Sequence, residues 1–333
     1  MRSLQSFAVV FAIAAALTAS CGGRTVRTTV SDSSTVDLSQ LWIEPTDLQS
    51  RDLFAGPASP VAAPNAATPF TFVRADRSGY SPGYDVRDAS GVEWDVKLGL
   101  EAQPEVVSSR ILWAIGYHQL PTYYLSTWTM TGGPGGNPGA ARFRPELADR
   151  KVVSDWSWHE NEFVGTQPLK GLIVALLMLN SWDWKTSNNK IYELTDTGLA
   201  ADATAKAGPR RLYVVRDLGA SLGKTSSPRF LRWFGWRGAQ GSRNDLQDFE
   251  SHGFVQLTEE GQLDFHYKGI YGSLVDTLTA EDVVWTSQLL SRLSDDQWND
   301  AFRAAGYPPD QASRYIAKLK SKIQEGLALK PGG

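Results

Sequence analysis

Three side chains with complementary chemistry stand in one short polar stretch of the sequence, Asp183, Lys185 and Asn188. The stretch directly follows residues 169–180, whose leucines and isoleucine recur at helical spacing. A second carboxylate, Asp217, follows a short apolar run further along the chain. Carboxylate and amide oxygens suit hard divalent cations, and a lysine can neutralise phosphate charge. Phosphoryl transfer needs such groups, because it depends chiefly on positioning and on charge neutralisation.

The elements ahead of this stretch are predicted to be three antiparallel strands and a helix. The strands cover residues 70–75, 84–87 and 92–98. Lys97 lies near the end of the third strand, and a turn rich in glycine joins the first two. Pro104 marks the first turn of the helix, which carries Glu105 and ends near Gly116. A lysine and a glutamate are thereby brought to neighbouring elements.

The rest of the chain is predicted to be mainly helical. A glycine- and proline-rich stretch, residues 131–139, suits a flexible junction, and the helix over 169–180 is expected to be buried. A strand pair follows the polar stretch, and the last fifty or so residues read as helices. The strands cover 191–194 and 212–215, and the helix starts carry the capping-box pairs Thr279/Asp282 and Ser294/Gln297.

The order of these features resembles the protein-kinase-like fold, and most closely its divergent bacterial and secretory-pathway members such as HipA-type, spore-coat and Golgi kinases. The resemblance covers about residues 70–325 and is most specific over 169–219. It implies an α+β fold of two lobes. A small antiparallel β-rich N-lobe would occupy residues 70–130, and a mainly helical C-lobe would occupy 131–330.

The resemblance also implies roles for individual side chains. Lys97 would contact the phosphates of ATP and be held by Glu105, with Glu101 as the substitute partner. Asp183 would orient an attacking hydroxyl and accept its proton, and Lys185 would steady the phosphate in transfer. Ser181 and Trp182 stand where many kinases have His-Arg, so coupling to a phosphorylated activation loop is not expected.

The same resemblance supplies candidate groups for a metal ion and for the nucleotide phosphates. Asn188, or Asn189 if the register slips by one, and Asp217 would bind Mg²⁺ or Mn²⁺. Leu218 and Gly219 replace the commoner Phe-Gly after that aspartate. Gly79 and Gly83 would bring backbone N–H groups to the phosphates, although the same segment also reads as a tight turn.

The N-terminal residues predict export and attachment to a membrane. Residues 1–20 have the pattern of a signal peptide, with an apolar run too short to span a bilayer comfortably. Cys21, the only cysteine, stands where this run ends and resembles the lipidated cysteine of a bacterial lipoprotein, although Thr18 replaces the usual leucine. Residues 21–69 have the composition of a tether, largely disordered, of which 38–54 could dock on the domain.

Composition and motifs argue against several other classes of protein. With 42% hydrophobic and 21% charged residues the chain is an ordinary globule, and its net charge of −3 disfavours a nucleic-acid binder. The four histidines show no zinc-ligand spacing, and no Gly-x-Ser-x-Gly nucleophile motif occurs. The basic-aromatic stretch 228–238 is expected to be a packed surface segment rather than a binding site for nucleic acid.

The expected function is therefore an exported, membrane-anchored phosphotransferase on the periplasmic face or cell surface. It would use ATP and a divalent metal, and its acceptor could be a protein, a sugar or a small molecule. Bacterial compartments outside the cytoplasm hold little ATP, which keeps open a non-catalytic kinase-like binding module. Transfer of AMP instead of phosphate is a third possibility.

Overall fold

The computed structural model describes residues 36–77, 80–195, 211–225, 241–258, 262–267 and 269–329. Cys21 and Gly79, most of the loop after residue 195 and the basic-aromatic stretch 228–238 lie outside these residues. Within the described ranges, no helix is both long and apolar enough to cross a membrane.

A six-stranded sheet forms the N-terminal part of the domain. Its strands are β1 (Phe70–Asp76), β2 (Gly83–Arg87), β3 (Glu93–Leu98), β4 (Tyr123–Leu125), β5 (Met130–Thr131) and β6 (Ala141–Pro145). They lie in the order β4-β6-β3-β2-β1-β5, and all pairs are antiparallel except the short contact of β1 with β5. The three predicted strands are present, and β3 pairs with β2 in register from Gly83 opposite Lys97.

The two faces of this sheet differ sharply in polarity, because side chains alternate along each strand. One face carries a buried cluster of aromatic and aliphatic side chains. The cluster consists of Phe70, Val86, Trp94, Val96, Trp128, Met130, Ala141 and Phe143. Asp95, Lys97, Arg142 and Arg144 occupy the alternate positions and therefore face the other way, toward α1 (Ala102–Ala114).

The C-terminal part contains most of the helices and two smaller sheets. The helices are α1 (Ala102–Ala114), α2 (Gln167–Met178), α3 (Leu246–Ser251), α4 (Gly272–Val275), α5 (Ala280–Ser291), α6 (Asp295–Ala304) and α7 (Pro309–Leu327). One sheet joins β7 (Arg150–Asp155), β8 (Asn189–Leu194) and β9 (Arg211–Val215), and the other pairs β10 (Val255–Leu257) with β11 (Leu263–Phe265). The predicted α+β fold, with a β-rich N-terminal part and a mainly helical C-terminal part, is confirmed.

The sheet extends beyond the boundary predicted at residue 130. The glycine-rich stretch 131–139 returns the chain to the same sheet, since β6 follows it and pairs with β3 along its whole length. Positive φ angles at glycines such as Gly133 and Gly136 allow this tight return. The residues between α1 and this stretch form the short strands β4 and β5, and β7 was not predicted.

Residues 36–69, which we call the strap, pack on the domain, so the contact includes the stretch 38–54 that was expected to dock and extends into the rest of the segment expected to be a tether. Leu41, Leu48 and Leu53 are buried in the main core. The Trp42 indole donates to the carbonyl of Ile115 at 2.7 Å, at the C-terminal end of α1. A few large apolar side chains therefore suffice to anchor the strap, since the burial of each one contributes about 1.5–3 kcal/mol to the stability of the folded domain.

Candidate active site

Lys97 lies at the centre of a buried group of charges. Its ammonium nitrogen is 3.2 Å from Glu105 Oε2 and donates to Asp217 Oδ1 at 2.8 Å. The substitute partner, Glu101, is further away at 3.8 Å, and its carboxylate also accepts from Arg243 Nε at 2.7 Å and from Ser81 Oγ at 2.9 Å. The contact expected between Lys97 and Glu105 is thus formed, although α1 begins two residues before Pro104.

Lys97 and Glu105 are both held in their charged forms. Burial alone would lower the pKa of Lys97, but the charges of Glu105 and Asp217 outweigh it and raise that pKa. Burial alone would raise the pKa of Glu105, yet Arg142 and Lys97 lower it. A lysine fixed in this way presents a permanent positive charge to the space between the N-terminal sheet and the segment after β9, which we call the cleft.

Asp217 follows β9 in a backbone conformation that few residues adopt. Its φ of 54° lies in the left-handed region, which an aspartate tolerates better than most side chains. The cations Lys97 and Arg144 outweigh the effect of burial and hold the pKa of Asp217 well below its usual range. With 38% of its side chain exposed, the ionised carboxylate remains accessible to a ligand.

The polar stretch after α2 lies alongside the residues that follow β9. The backbone N–H of Trp182 donates to the carbonyl of Ala220 at 3.2 Å, and the N–H of Arg216 donates to the carbonyl of Asn188 at 2.9 Å. These two hydrogen bonds fix both ends of the stretch against the segment that contains Asp217. The arrangement brings the Asp183 loop and Asp217 together at one edge of the cleft.

Within this loop, the polar side chains contact one another. Lys185 donates to Asp183 Oδ2 at 2.9 Å, and the Asn188 amide nitrogen donates to the Asp183 carbonyl at 2.8 Å. Because its nitrogen is engaged, Asn188 has its amide oxygen left for a cation. The alternative residue, Asn189, is completely buried in β8, where its amide nitrogen donates to the carbonyl of Trp156. The metal role proposed for Asn189 in a shifted register therefore has no structural support.

Aromatic packing holds the loop from behind. The Trp184 ring is buried and stacks on Tyr267, with 4.4 Å between ring centroids and 16° between planes. Burial, with a smaller contribution from the charge of Asp183, raises the pKa of Tyr267 well above its usual range. The alternation of polar and tryptophan residues in the sequence thus separates groups that face the cleft from groups that anchor the loop.

Gly83 has a packing role within the sheet. A Cβ atom at this position would lie 2.8 Å from the carbonyl oxygen of Val96 on the neighbouring strand, so a larger residue would disturb β2 and β3. This close approach accounts for the glycine without a phosphate. Its partner in the predicted phosphate loop, Gly79, lies outside the described residues.

Sequence reasoning missed a network of arginines on the cleft side of the sheet. Asp95 binds Arg142 at 3.1 Å, Arg216 at 3.2 Å, and Arg144, and the two sheet arginines also contact Glu105 at 3.0 and 3.3 Å. These three arginines outweigh the effect of burial and keep the pKa of Asp95 well below its usual range. The alternation Arg142-Phe-Arg144 is the strand signal that could have revealed the network.

A cavity of about 330 Å³ lies beside these arginines, between the N-terminal sheet and the sheet of β7, β8 and β9. Its size suits a small ligand, and its wall combines charged and apolar side chains. The lining includes Asp95, Leu120, Arg144, Val152, Tyr192 and Arg216.

The donor atoms near Asp217 suit a magnesium-type ion bound together with phosphate. Mg²⁺ commonly takes one or two protein oxygens and completes its shell with water and substrate phosphates. Asp217 and Asn188 supply a carboxylate and an amide oxygen of this kind. Across the described ranges, no group of three or more His, Cys, Asp or Glu side chains could hold a metal ion on its own.

Comparisons with known proteins find similarity in structure and none in sequence. No family model matches the sequence, and no curated protein matches it. Among solved structures, the proinflammatory kinase CtkA of Helicobacter pylori is similar over 77% of this chain and 98% of its own, with 10% identity and a TM-score of 0.36.

Proposed function

We propose that this protein is a phosphotransferase that uses ATP and a divalent metal, Mg²⁺ or Mn²⁺. The observation that carries the proposal is the position of Lys97, which contacts Glu105 and Asp217 at once. A buried lysine between a helix carboxylate and a second, accessible carboxylate is an arrangement suited to phosphates bound together with a cation.

Each charged group has a separate task in the proposed reaction. Lys97 binds the nucleotide phosphates, and Glu105 holds its ammonium group in place. Asp217 and Asn188 hold the metal ion, which supplies neutralisation of the phosphate charge when bound. Removal of Asp217 from Lys97 by a cation would leave the lysine free to contact phosphate oxygens. With Asp217 moved onto the cation, Lys97 is still held by Glu105, so its charge is in position before the moment of transfer.

Asp183 receives the proton of the acceptor hydroxyl. The Asp183 side chain is 20% exposed, and its Oδ2 atom lies 2.9 Å from the Nζ atom of Lys185, whose side chain is 56% exposed. An acceptor hydroxyl that binds Asp183 can lose its proton to this carboxylate as its oxygen bonds to the γ-phosphorus and the bond from that phosphorus to the bridging oxygen of the departing ADP breaks. Because its side chain is exposed and flexible, Lys185 can stay in contact with the phosphoryl group during transfer.

The decisive experiment is label transfer from ATP in the presence of Mg²⁺ or Mn²⁺. The acceptors are the protein itself, a dephosphorylated protein and a sugar. We expect Asp183→Ala and Asp217→Ala to reduce transfer at least 100-fold. The matched control is Asp155→Ala, because Asp155 is an exposed aspartate paired only across β7 and β8 with Lys190. Transfer that persists in both active-site variants would overturn the catalytic assignment.

The same experiment separates the two alternatives. Metal-dependent nucleotide binding without transfer to any acceptor would favour the non-catalytic binding module. Label that is transferred from the α-phosphate rather than the γ-phosphate would identify the protein as an AMP transferase.

We also propose that the protein is exported and anchored to a membrane through a lipid on Cys21. The support is the apolar run and the position of the cysteine in the sequence. Cys21→Ser should release the protein from the membrane fraction and abolish incorporation of a labelled fatty acid. Equal membrane retention in both forms would contradict the anchor.

A further inference from the structure

A second cavity lies away from the candidate active site, between the strap and β4. Its volume is about 480 Å³, within the range of cavities that bind small molecules. The wall is predominantly apolar and aromatic. Its lining includes Phe54, Pro57, Val61, Pro64, Tyr124 and Leu125. None of these residues belongs to the group of charges around Lys97.

Arg110 lies beneath one wall of this cavity. A Cβ atom added to Gly56, which lines the cavity, would be 2.1 Å from Arg110 Nη1, and the guanidinium carbon is 5.8 Å from the Tyr123 ring centre. Gly56 and Tyr123 are both lining residues, so only a glycine backbone and one ring separate the cation from the cavity. The φ of Gly56, 80°, is one that glycine adopts without strain.

Within the described part of the chain, the guanidinium forms no ion pair with an acidic side chain. Arg110 is 1% exposed, and its Nε and Nη1 atoms make no hydrogen bond with the residues that the structure describes. Asp52 is an acid that acts on its charge, but Asp52 Oδ1 accepts from the backbone N–H groups of Phe54 and Ala55, and it forms no ion pair with Arg110. Burial lowers the pKa of Arg110 to about 10, so the group is still a cation at neutral pH.

The other buried arginines show how unusual this is. Arg142 and Arg144 are also almost fully buried, and each contacts both Asp95 and Glu105. A buried charge without a partner is strongly unfavourable, which is why proteins pair such groups or satisfy them with a ligand. Arg110 forms no ion pair with the residues that the structure describes, has the Tyr123 ring near its guanidinium carbon, and adjoins an apolar cavity.

We propose that this cavity binds an amphipathic carboxylate, with its apolar body between the strap and β4 and its carboxylate at Arg110. A planar guanidinium binds a carboxylate through two parallel hydrogen bonds, and its Nε and one Nη nitrogen can form such a pair. The ligand reaches them through a small displacement of the strap at Gly56, where the backbone N–H donates to the Asp52 carbonyl at 2.8 Å and no side chain intervenes.

The test compares two probes that share one apolar chain, decanoate below its micellar concentration and decan-1-ol. Calorimetry on the full domain should show one decanoate site, and Arg110→Gln should weaken decanoate at least tenfold while leaving decan-1-ol unchanged. Ala58→Trp, a change at an exposed lining residue, should block both probes with Arg110 intact. This second variant keeps the test valid if Arg110→Gln does not fold.

Two results would overturn the proposal. One is the absence of decanoate binding to the unmodified domain, and the other is equal decanoate affinity with and without the Ala58→Trp change. Asp217→Ala, at the candidate active site, should leave decanoate affinity unaltered. The outcome is therefore independent of whether the phosphotransferase assignment holds.

Discussion

Replacement of Glu105 by glutamine should destabilise the domain more than any other change of a single charge in the cleft. The carboxylate lies 3.0 Å from Arg142 Nε, 3.3 Å from Arg144 Nη1 and 3.2 Å from Lys97 Nζ, and the residue is 2% exposed. Glutamine keeps the shape but leaves three buried cations with less compensation. Removing one partner of a buried ion pair costs about 3–5 kcal/mol, a large part of the roughly 5–15 kcal/mol that stabilises a typical domain.

The loss can be measured by urea unfolding followed through tryptophan fluorescence. A change of about 3–5 kcal/mol corresponds to a fall in melting temperature of about 6–20 °C for a domain of this size. The control is Glu93→Gln, which breaks an exposed pair with Arg87 and should cost only about 0–1 kcal/mol. A Glu105→Gln variant within 1 kcal/mol of this control would refute the view that Glu105 balances the cluster.

The acid limb of the stability curve supplies an independent test. Because the folded pKa of Glu105 is lowered from its usual value of 4.5, its stabilising contribution is present above pH 4.5 and is lost as the pH falls through the folded pKa. The Glu105→Gln variant lacks this titration, so its stability should decrease less steeply on acidification. Parallel acid limbs for the two proteins would contradict the pairing.

Three further changes have defined outcomes. Lys322 is fully buried, donates to the carbonyl of Met178 and to the amide oxygen of Asn180, and has a pKa far below its usual 10.5 because of burial. The free energy of unfolding of the unmodified protein should therefore rise with pH below 10.5. The Lys322→Met variant should show a flatter rise in the same unfolding measurements. Leu48→Ala should cost about 2–5 kcal/mol and speed proteolysis within the strap. Asp217→Gly should be about 1 kcal/mol more stable than Asp217→Ala in thermal unfolding, because its φ is positive, although neither should transfer phosphate.

Local chemistry made part of the fold predictable from the sequence. The two capping boxes, Thr279 with Asp282 and Ser294 with Gln297, form as expected, because each depends only on residues three apart. The placement of Lys97 against a helix glutamate also followed, since strand and helix are consecutive in the chain. Contacts between residues or elements that are close in sequence can therefore be predicted from local sequence patterns.

The remainder depends on contacts between distant segments. The network around Asp95 forms only because β6 returns to pair with β3 after a glycine-rich excursion, and no local pattern specifies that pairing. Docking within 38–54 was expected from the large apolar residues of that stretch, but its partners were not, because composition does not specify which distant elements a buried side chain meets. Nor does the sequence disclose that Arg110 is buried without an ion-pair partner among the residues that the structure describes.

The strap has a consequence for when the domain can be completed during its synthesis. The Gln297 side chain donates to the carbonyls of Leu48 at 2.7 Å and Arg51 at 3.0 Å, so the strap closes on a helix made almost 250 residues later. A ribosome therefore releases Leu48 and Arg51 long before α6 has been made. Contacts of such long sequence separation form late and leave apolar groups uncovered meanwhile. The nascent chain should thus need protection from a chaperone until its last helices emerge.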